Sequence, residues 1–325
     1  MGALSSIAIA AVTAASIAAI AVPAGAQDYP TKPVRIITGS NGALGDIITR
    51  QIAPRLNERW GQPAVVENRP GAGLTIGTAI AAKAPPDGYT LVMSDRTALA
   101  SAPSLYQNLG YDPVKDLAPI TLVATTPLVL IAHPSVPPAN LREFVAYVKQ
   151  LPQGMAHGTG GPGTVNHLAG ELMKQLTGAN MVPVHYKGTG AAMIAILGAE
   201  VKAGFSMPPI ALPHLQAGKV KAYVVTGAKR MPGAAGVPTV AEAGLPELES
   251  EYWIGMLAPA RTPAALVGRL NREFVEVLQT PALRAVLVDQ GSEPRPGKPE
   301  EFAAFIRSES MKWGKVIKTA GLKPE

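Results

Sequence analysis

Arg35–Asp46 reads "RIITGSNGALGD": a short apolar run, glycines at 39, 42 and 45, and an acid where a helix begins. Glycine lets a backbone approach a ligand closely, and a helix start offers unpaired N–H groups to an anion. A tight strand-to-helix turn justifies one or two glycines. Three of them, with Ser40 and Asn41, suggest exposed N–H groups and two small polar side chains as an anion cradle. Asp46 reads as the N-cap of the helix. The stretch is neither GxGxxG nor GxxxxGK and holds no lysine, so a nucleotide phosphate is poorly matched. A GxxG clamp for RNA, Gly39 to Gly42, lacks basic and aromatic neighbours.

Two further loops have the same character. "GTGGPGTVNH" (158–167) places four glycines after a strand and before a helix, with Thr164 as a cap and His167 facing back towards the loop. "SDRTALAS" (94–101) follows another strand, and Arg96 there can pair bidentately with a carboxylate; the plainer reading is an exposed pair with Asp95. Catalysis finds little support. There is no GxSxG elbow, no HExxH and no cysteine, and the histidines at 133, 157, 167, 185 and 214 lack close metal-ligand spacing. No catalytic residue, metal ligand or cofactor is assigned.

These loops need elements to hold them. "VRIIT" (34–38), "AVVEN" (64–68) and "YTLVMS" (89–94) read as strands. Ile48, Ile52, Leu56 and Trp60 mark a helix over 46–60, which Pro54 should kink or shorten. A small-residue helix covers 74–83. That is βαβαβ, which predicts a parallel sheet with right-handed crossovers. The alternation resumes at "LVLIAH" (128–133), followed by a helix capped by Asn140 with Glu143, and continues to "KAYVVTG" (221–227). After "YWIGMLAP" (252–259) the pattern becomes helix upon helix, to about residue 320. In open parallel sheets ligands sit beyond the carboxyl ends of strands, where all three polar loops fall.

The chain has 325 residues, 47% hydrophobic and 16% charged, enough for a large core and about two domains. The net charge of +6 is scattered, with no basic run, so a nucleic-acid partner is not indicated. Residues 3–22 are apolar and uncharged, and Ala24-Gly25-Ala26 forms a small-residue cleavage site. No Lys or Arg precedes this run, yet its Ala, Ser and Thr content and the lack of a basic stop-transfer cluster favour a cleaved signal over a retained membrane helix. The expectation is an exported, periplasmic and soluble mature protein.

"DYPTKPVRII", "GQPAVVENRPGAG", "PDGYTLVMS", "PSLYQNLGYDPVKDLAPITLVA", "HLAGELMKQLTG", "VPVHYKG", "ALPHLQAGKVKAYVVT", "VPTVAEAGLPE" and "GMLAPARTPAALVGRLN" occur in order. Together they resemble the Bug (tripartite tricarboxylate) family of extracytoplasmic solute-binding receptors. The resemblance implies an α/β, two-lobed periplasmic-binding-protein fold of type II, each lobe a mostly parallel sheet flanked by helices, closing over a small organic carboxylate. It implies a carboxylate held by Ser40, Asn41, Gly42 and Ala43, with Gly160, Gly161 and Thr164 contributing from the other lobe. Thr97, His167 and Ser206 complete the candidate set. The partners implied are transporter membrane subunits or, for an orphan receptor, a sensor kinase; an exported α/β hydrolase is the alternative from another class.

Two departures from the family pattern stand out. The first loop lacks the prolines of P-F-P-x-G-G, and Arg96 is atypical of its loop, so Arg96 is expected to supply a direct ion pair. Ser206 stands where amino-acid-binding members tend to carry Asp, which predicts a ligand without an amine. The expected division is a signal at 1–26, one lobe from 27–127 with 252–325, and the other at 128–251, in a monomer.

Overall fold

A computed structural model describes residues 29–39 and 44–322. Residues 1–26, expected to be a signal, and residues 40–43 lie outside the described residues. The chain begins with β1 (Val34–Thr38), α1 (Leu44–Trp60), β2 (Ala64–Asn68), α2 (Thr75–Ala82) and β3 (Thr90–Asp95). A π-helical turn, Thr97–Ser101, runs into the short α3 (Ala102–Leu105), and β4 (Leu117–Pro127) follows. Next come β5 (Val129–Ala132), α4 (Leu141–Gln150), β6 (Met155–Thr159), α5 (Val165–Thr177) and β7 (Met181–His185). Then follow α6 (Thr189–Leu197), β8 (Ala203–Ser206), α7 (Pro208–Gln216) and β9 (Lys221–Val225). The last elements are β10 (Glu251–Pro259), α8 (Ala264–Leu278), α9 (Pro281–Asp289), β11 (Glu293–Pro294) and α10 (Pro299–Thr319).

Two sheets result. One has the order β11-β4-β10-β3-β1-β2, the other β7-β6-β8-β5-β9. The β–α–β units pair in parallel, β1 with β2 and β3, and β6 with β7 and β8. The sheets are nonetheless mixed, because β10 runs antiparallel to β3 and β4, and β5 antiparallel to β8 and β9. β1 sits between β2 and β3, with Ile36 registered against Val66 and Leu91. Only Arg35 in this strand escapes burial, as befits a strand covered on both faces. Helix α1 continues past Pro54 to Trp60 instead of breaking; Pro54 stands on the exposed face, where the lost backbone bond is least costly.

The chain passes from one sheet to the other with very little slack. Leu128, fully buried, is the sole residue between β4 and β5. Its N–H donates to Thr226 Oγ1 at 2.8 Å, and the Thr226 N–H returns to the Leu128 carbonyl at 2.8 Å. Ser250, just before β10, donates to the Thr226 carbonyl at 3.1 Å. The outgoing and returning segments are thus tied together at Thr226.

Helices α8 and α10 lie on β4 and bury Leu270, Phe274, Phe302, Ile306 and Trp313. Helix α10 also reaches α5, where Gln175 Nε2 donates to the Val316 carbonyl at 2.9 Å. The three tryptophans, Trp60 on α1, Trp253 on β10 and Trp313 on α10, all belong to elements of the six-stranded sheet or its cover. The indole N–H groups of Trp253 and Trp313 both donate to Glu309 Oε2, each at 2.9 Å.

Helix α5 carries Gly170 in its middle for a steric reason. A Cβ there would stand 2.3 Å from His157 Nε2 and 2.9 Å from its Cε1. Alanine is the better helix former by about 1 kcal/mol. Gly170→Ala should still destabilise by roughly 1–3 kcal/mol, because overpacking a buried ring outweighs propensity. Urea unfolding measures this. A double-mutant cycle with His157→Ala should recover most of the loss, and simple additivity would show that the two residues do not compete for space.

Candidate functional site

A cavity of about 280 Å³ opens beyond the carboxyl ends of β1 and β3. Its walls include Thr38 and Gly39 at the end of β1, Asp46 in α1, Gly73 and Leu74 before α2, and Met93 and Asp95 on β3. Tyr252 and Ile254 of β10 close it. Gly39 leaves room for Leu74: a Cβ here would fall 1.7 Å from Leu74 Cδ2, so any larger residue requires that side chain to move. Gly39 on one side of residues 40–43, and Gly45 and Asp46 on the other, line the cavity, so the glycine-rich stretch is bracketed by residues of its wall.

Asp46 is not the N-cap that the sequence suggested; it lies in the first turn of α1, because the helix starts two residues earlier. Its buried carboxylate accepts from Arg50 Nε at 2.9 Å and Asn68 Nδ2 at 2.8 Å. Asn68 Nδ2 is also 3.2 Å from the Gly39 carbonyl. This acid fastens the ends of β1 and β2 to the helix start, and Arg50 offsets its charge.

Asp95 and Tyr252 were missed by sequence reasoning. Asp95 is 6% exposed. Its carboxylate accepts from the Ala98 N–H at 3.0 Å, and the Tyr252 hydroxyl and the Thr97 N–H nearby also favour its charged form. Burial pushes its pKa up to about 6, against the pull of those donors and of the Arg96 charge. Burial also holds the Tyr252 hydroxyl far above its ordinary value, so it stays protonated and donates. The available signal was strand alternation: Leu91, Met93 and Asp95 share one face of β3, while Val92 and Ser94 share the other. Met93 is apolar and cavity-facing, which fixes the phase.

Arg96 is placed elsewhere. It is fully buried and stands outside the walls of the cavity. Its guanidinium lies 3.5 Å from the centre of the Trp313 ring, and Nη1 donates to Ser250 Oγ at 3.1 Å and to the Glu251 carbonyl at 3.2 Å. The exposed pair with Asp95 does not form either, since both residues are buried. "SDRTALAS" is no open polar loop: Thr97–Ser101 coils into a π-helical turn that buries Ala98, Leu99 and Ala100. Thr97 is half-buried, with its methyl against Gly73.

The second glycine loop gathers around another cavity. Thr164 precedes α5 as read, but its hydroxyl lies 2.6 Å from the Gly161 carbonyl and 2.7 Å from Asn166 Oδ1 instead of capping the helix. The Gly160 N–H meets Asn166 Oδ1 at 3.3 Å. His167 turns back to the loop as expected, and its Nδ1 accepts from the Gly163 N–H at 3.0 Å. His167 and His185, rings edge-to-face at 4.8 Å, line a cavity of about 250 Å³ with Leu105, Tyr106, Gly163 and Leu322. Burial lowers the His167 pKa to about 4, with the neighbouring His185 charge second. Ser206, at the end of β8, is 4% exposed and its hydroxyl has no partner. Neither His167 nor Ser206 lines the cavity at β1 and β3, nor do Gly160, Gly161 and Thr164. Among the described residues no cluster of His, Asp and Glu is built to hold a metal ion, and no helix is long and apolar enough to cross a membrane.

Comparison with known proteins fits this architecture. Residues 48–322 match the model of the tripartite tricarboxylate transporter family receptor. Protein BugT of Bordetella pertussis (strain Tohama I) is 36% identical over 310 residues, spanning 94% of each chain. A structure from R. palustris solved with adipate aligns at a TM-score of 0.79 and 33% identity, over 91% of this chain and 100% of that one. MatC from Rhodopseudomonas palustris, with bound malate, aligns at 0.75 and 32%, over 89% and 100%. The periplasmic binding protein BugD aligns at 0.76 and 34%. With its two helix-flanked sheets and a match over most of its length, the chain belongs to the tripartite tricarboxylate transporter receptor family, a family of periplasmic solute-binding receptors and not of enzymes.

Proposed function

We propose that this receptor captures a small organic carboxylate lacking an amine group and delivers it to a tripartite tricarboxylate-type transporter. The observation that carries the reading is the cavity at the carboxyl ends of β1 and β3, where Gly39 admits the backbone closely and α1 begins. Relatives solved with adipate and malate support the ligand class. Ser40, Asn41, Gly42 and Ala43 would supply N–H groups and hydroxyls to the carboxylate, with Thr97 beside them. Gly160, Gly161, Thr164, His167 and Ser206 would approach from the other side on closure. The neutral Ser206 supports a ligand without an ammonium group. The lobes would be 27–127 with 252–325, and 128–251, hinged at Leu128 and near Ser250. Residues 1–26 would direct export and be removed.

Burying a carboxylate strips it of water, so every oxygen needs a fixed donor. A ligand that binds only the folded form, at a hundred times its Kd, adds about 2.7 kcal/mol of stability. A thermal-shift screen of mono-, di- and tricarboxylates, aromatic acids and amino acids should therefore raise the Tm for one class of acids and leave amino acids silent. No rise with any carboxylate would overturn the assignment. Pull-down with the membrane subunits tests the transporter arm.

A further inference from the structure

The cavity beside His167 shares no wall residue with the one at β1 and β3. Leu105, at the end of α3, and Leu322, after α10, stand on one side of it; Gly163, His167 and His185 stand on the other. The glycine loop sets the tautomer of both imidazoles. The Gly163 N–H donates to His167 Nδ1 at 3.0 Å, so that nitrogen is bare and the proton of the neutral ring sits on Nε2. His167 Nε2 is buried and has no hydrogen-bond partner. For His185 the setting runs through Thr159. Thr159 Oγ1 accepts from the Gly161 N–H at 3.3 Å and lies 2.6 Å from His185 Nδ1. Thr159 is fully buried, and Nδ1 is the acceptor within reach of its hydroxyl, so the hydroxyl donates to Nδ1. The His185 proton then also sits on Nε2. Two N–H donors on one cavity wall are left with no acceptor among the described residues.

A nitrogen that carries a proton has no lone pair for a metal ion, so what meets these groups must accept a hydrogen bond. An ammonium would bring protons to a wall that already supplies them. An anion is disfavoured too. No cationic side chain lines the cavity among the described residues, and Glu171 Oε1 stands 3.8 Å from His167 Nε2. That is too long for a hydrogen bond, yet close enough to repel a second carboxylate. Leu105, Pro162 and Leu322 make the rest of the wall largely apolar. A cavity of about 150 Å³ holds benzene. This one, at about 250 Å³, has room for a ring bearing a carbonyl. We infer that the cavity is a second binding site, which takes an uncharged carbonyl compound through the Nε2–H groups of His167 and His185. The site goes beyond the carboxylate reading and does not depend on it. Its walls come from the layers of both sheets, so an occupant bridges them.

Two measurements on the purified protein test the inference. Long-range proton–nitrogen correlation spectra at neutral pH should show both rings protonated on Nε2 and bare on Nδ1. A proton on Nδ1 of either ring overturns the donor assignment. Acetophenone is then titrated beside three probes of similar shape: ethylbenzene lacks the oxygen, benzoate carries a charge, and benzylammonium brings donors. Acetophenone should bind saturably and about tenfold tighter than ethylbenzene, as two neutral hydrogen bonds allow. Leu322→Trp, which fills the cavity, should abolish that binding. His185→Phe should weaken it by about three- to tenfold. Circular dichroism confirms that each variant folds, and His185→Phe, at an exposed position, serves if Leu322→Trp does not fold. Benzoate is also titrated into Leu322→Trp, so that binding at the β1 and β3 cavity is subtracted. No saturable binding of acetophenone means a cavity that holds water only, and overturns the site. Equal affinity for ethylbenzene, or affinity unmoved in both variants, overturns it as well. Benzoate or benzylammonium that binds this cavity ahead of acetophenone overturns the uncharged acceptor.

Discussion

Between pH 7 and pH 4 the protein should lose roughly 3–4 kcal/mol of folding stability, with His157 and His167 as the main cause. His157 is fully buried on β6, and burial, with the charge of His167 second, lowers its pKa from 6.5 to about 3. Neither of its ring nitrogens makes a well-formed hydrogen bond, and the nearby Val182 backbone favours the charged form only weakly. His167 falls to about 4. As the pH drops below 6.5, the unfolded chain binds protons at both sites and the folded chain does not. Stability therefore falls with pH until the folded pKa values are reached. Integrated to pH 4, the two sites contribute roughly 6 kcal/mol of loss. Asp95 works in the opposite sense: its folded pKa is raised to about 6, so falling pH favours the folded form, by roughly 2 kcal/mol over the same interval. Denaturant titrations at pH 7, 5.5 and 4 measure the net slope. His157→Leu should flatten it by about half of the histidine part. A wild-type profile that is level over this range, or a variant with an unchanged slope, would contradict the assignment.

The second large effect is expected at Trp313. Its ring is fully buried, supports the Arg96 guanidinium on one face, and donates through Nε1 to Glu309. Arg96 is itself buried, and its Nε and Nη2 have no hydrogen-bond partner. Burial lowers its pKa only to about 10, so it carries its charge at neutral pH. That charge is compensated by the ring, by Ser250 and by the Glu251 carbonyl, together with the field of Glu309 and Asp95. Trp313→Ala should cost about 3–5 kcal/mol from cavity formation alone, plus a further penalty for a buried cation that loses its aromatic face. Trp313→Phe keeps a ring beneath the guanidinium and should recover a large part of this. Equal losses in the two variants, read from denaturant midpoints, would mean that the ring–cation contact contributes nothing. Because Ser250 adjoins the returning strand, the Ala variant also tests whether Arg96 steadies that crossing.

The layout of elements was largely legible in the sequence. β1 and β2 fall on the residues read as strands, because an apolar run bounded by glycine and proline leaves few alternatives. The helix capped by Asn140 is confirmed by the Glu143 N–H donating to Asn140 Oδ1 at 2.9 Å. β4 escaped notice: Pro119 and Pro127 and its threonines mask an eleven-residue strand. Strand direction was less legible, since antiparallel β5 and β10 pair with partners far away in sequence. The site was harder still. Arg96 was chosen for its chemistry, but it opens the helical turn after β3 and turns to the core, while its neighbour Asp95, the last residue of the strand, faces the cavity. A residue's type states what it can bind; the phase of its strand states where it can do so.

The placement of the tryptophans has an optical consequence. Trp60, Trp253 and Trp313 surround the six-stranded sheet, and residues 129–225 contain none. Indole emission therefore reports the melting of one sheet, while far-ultraviolet dichroism reports both. If the single buried residue Leu128 couples the sheets into one cooperative unit, the two signals will trace the same denaturation curve. If the five-stranded sheet unfolds first, the dichroism will fall while the fluorescence holds, and a melting temperature read from emission alone will overstate the stability of the whole chain.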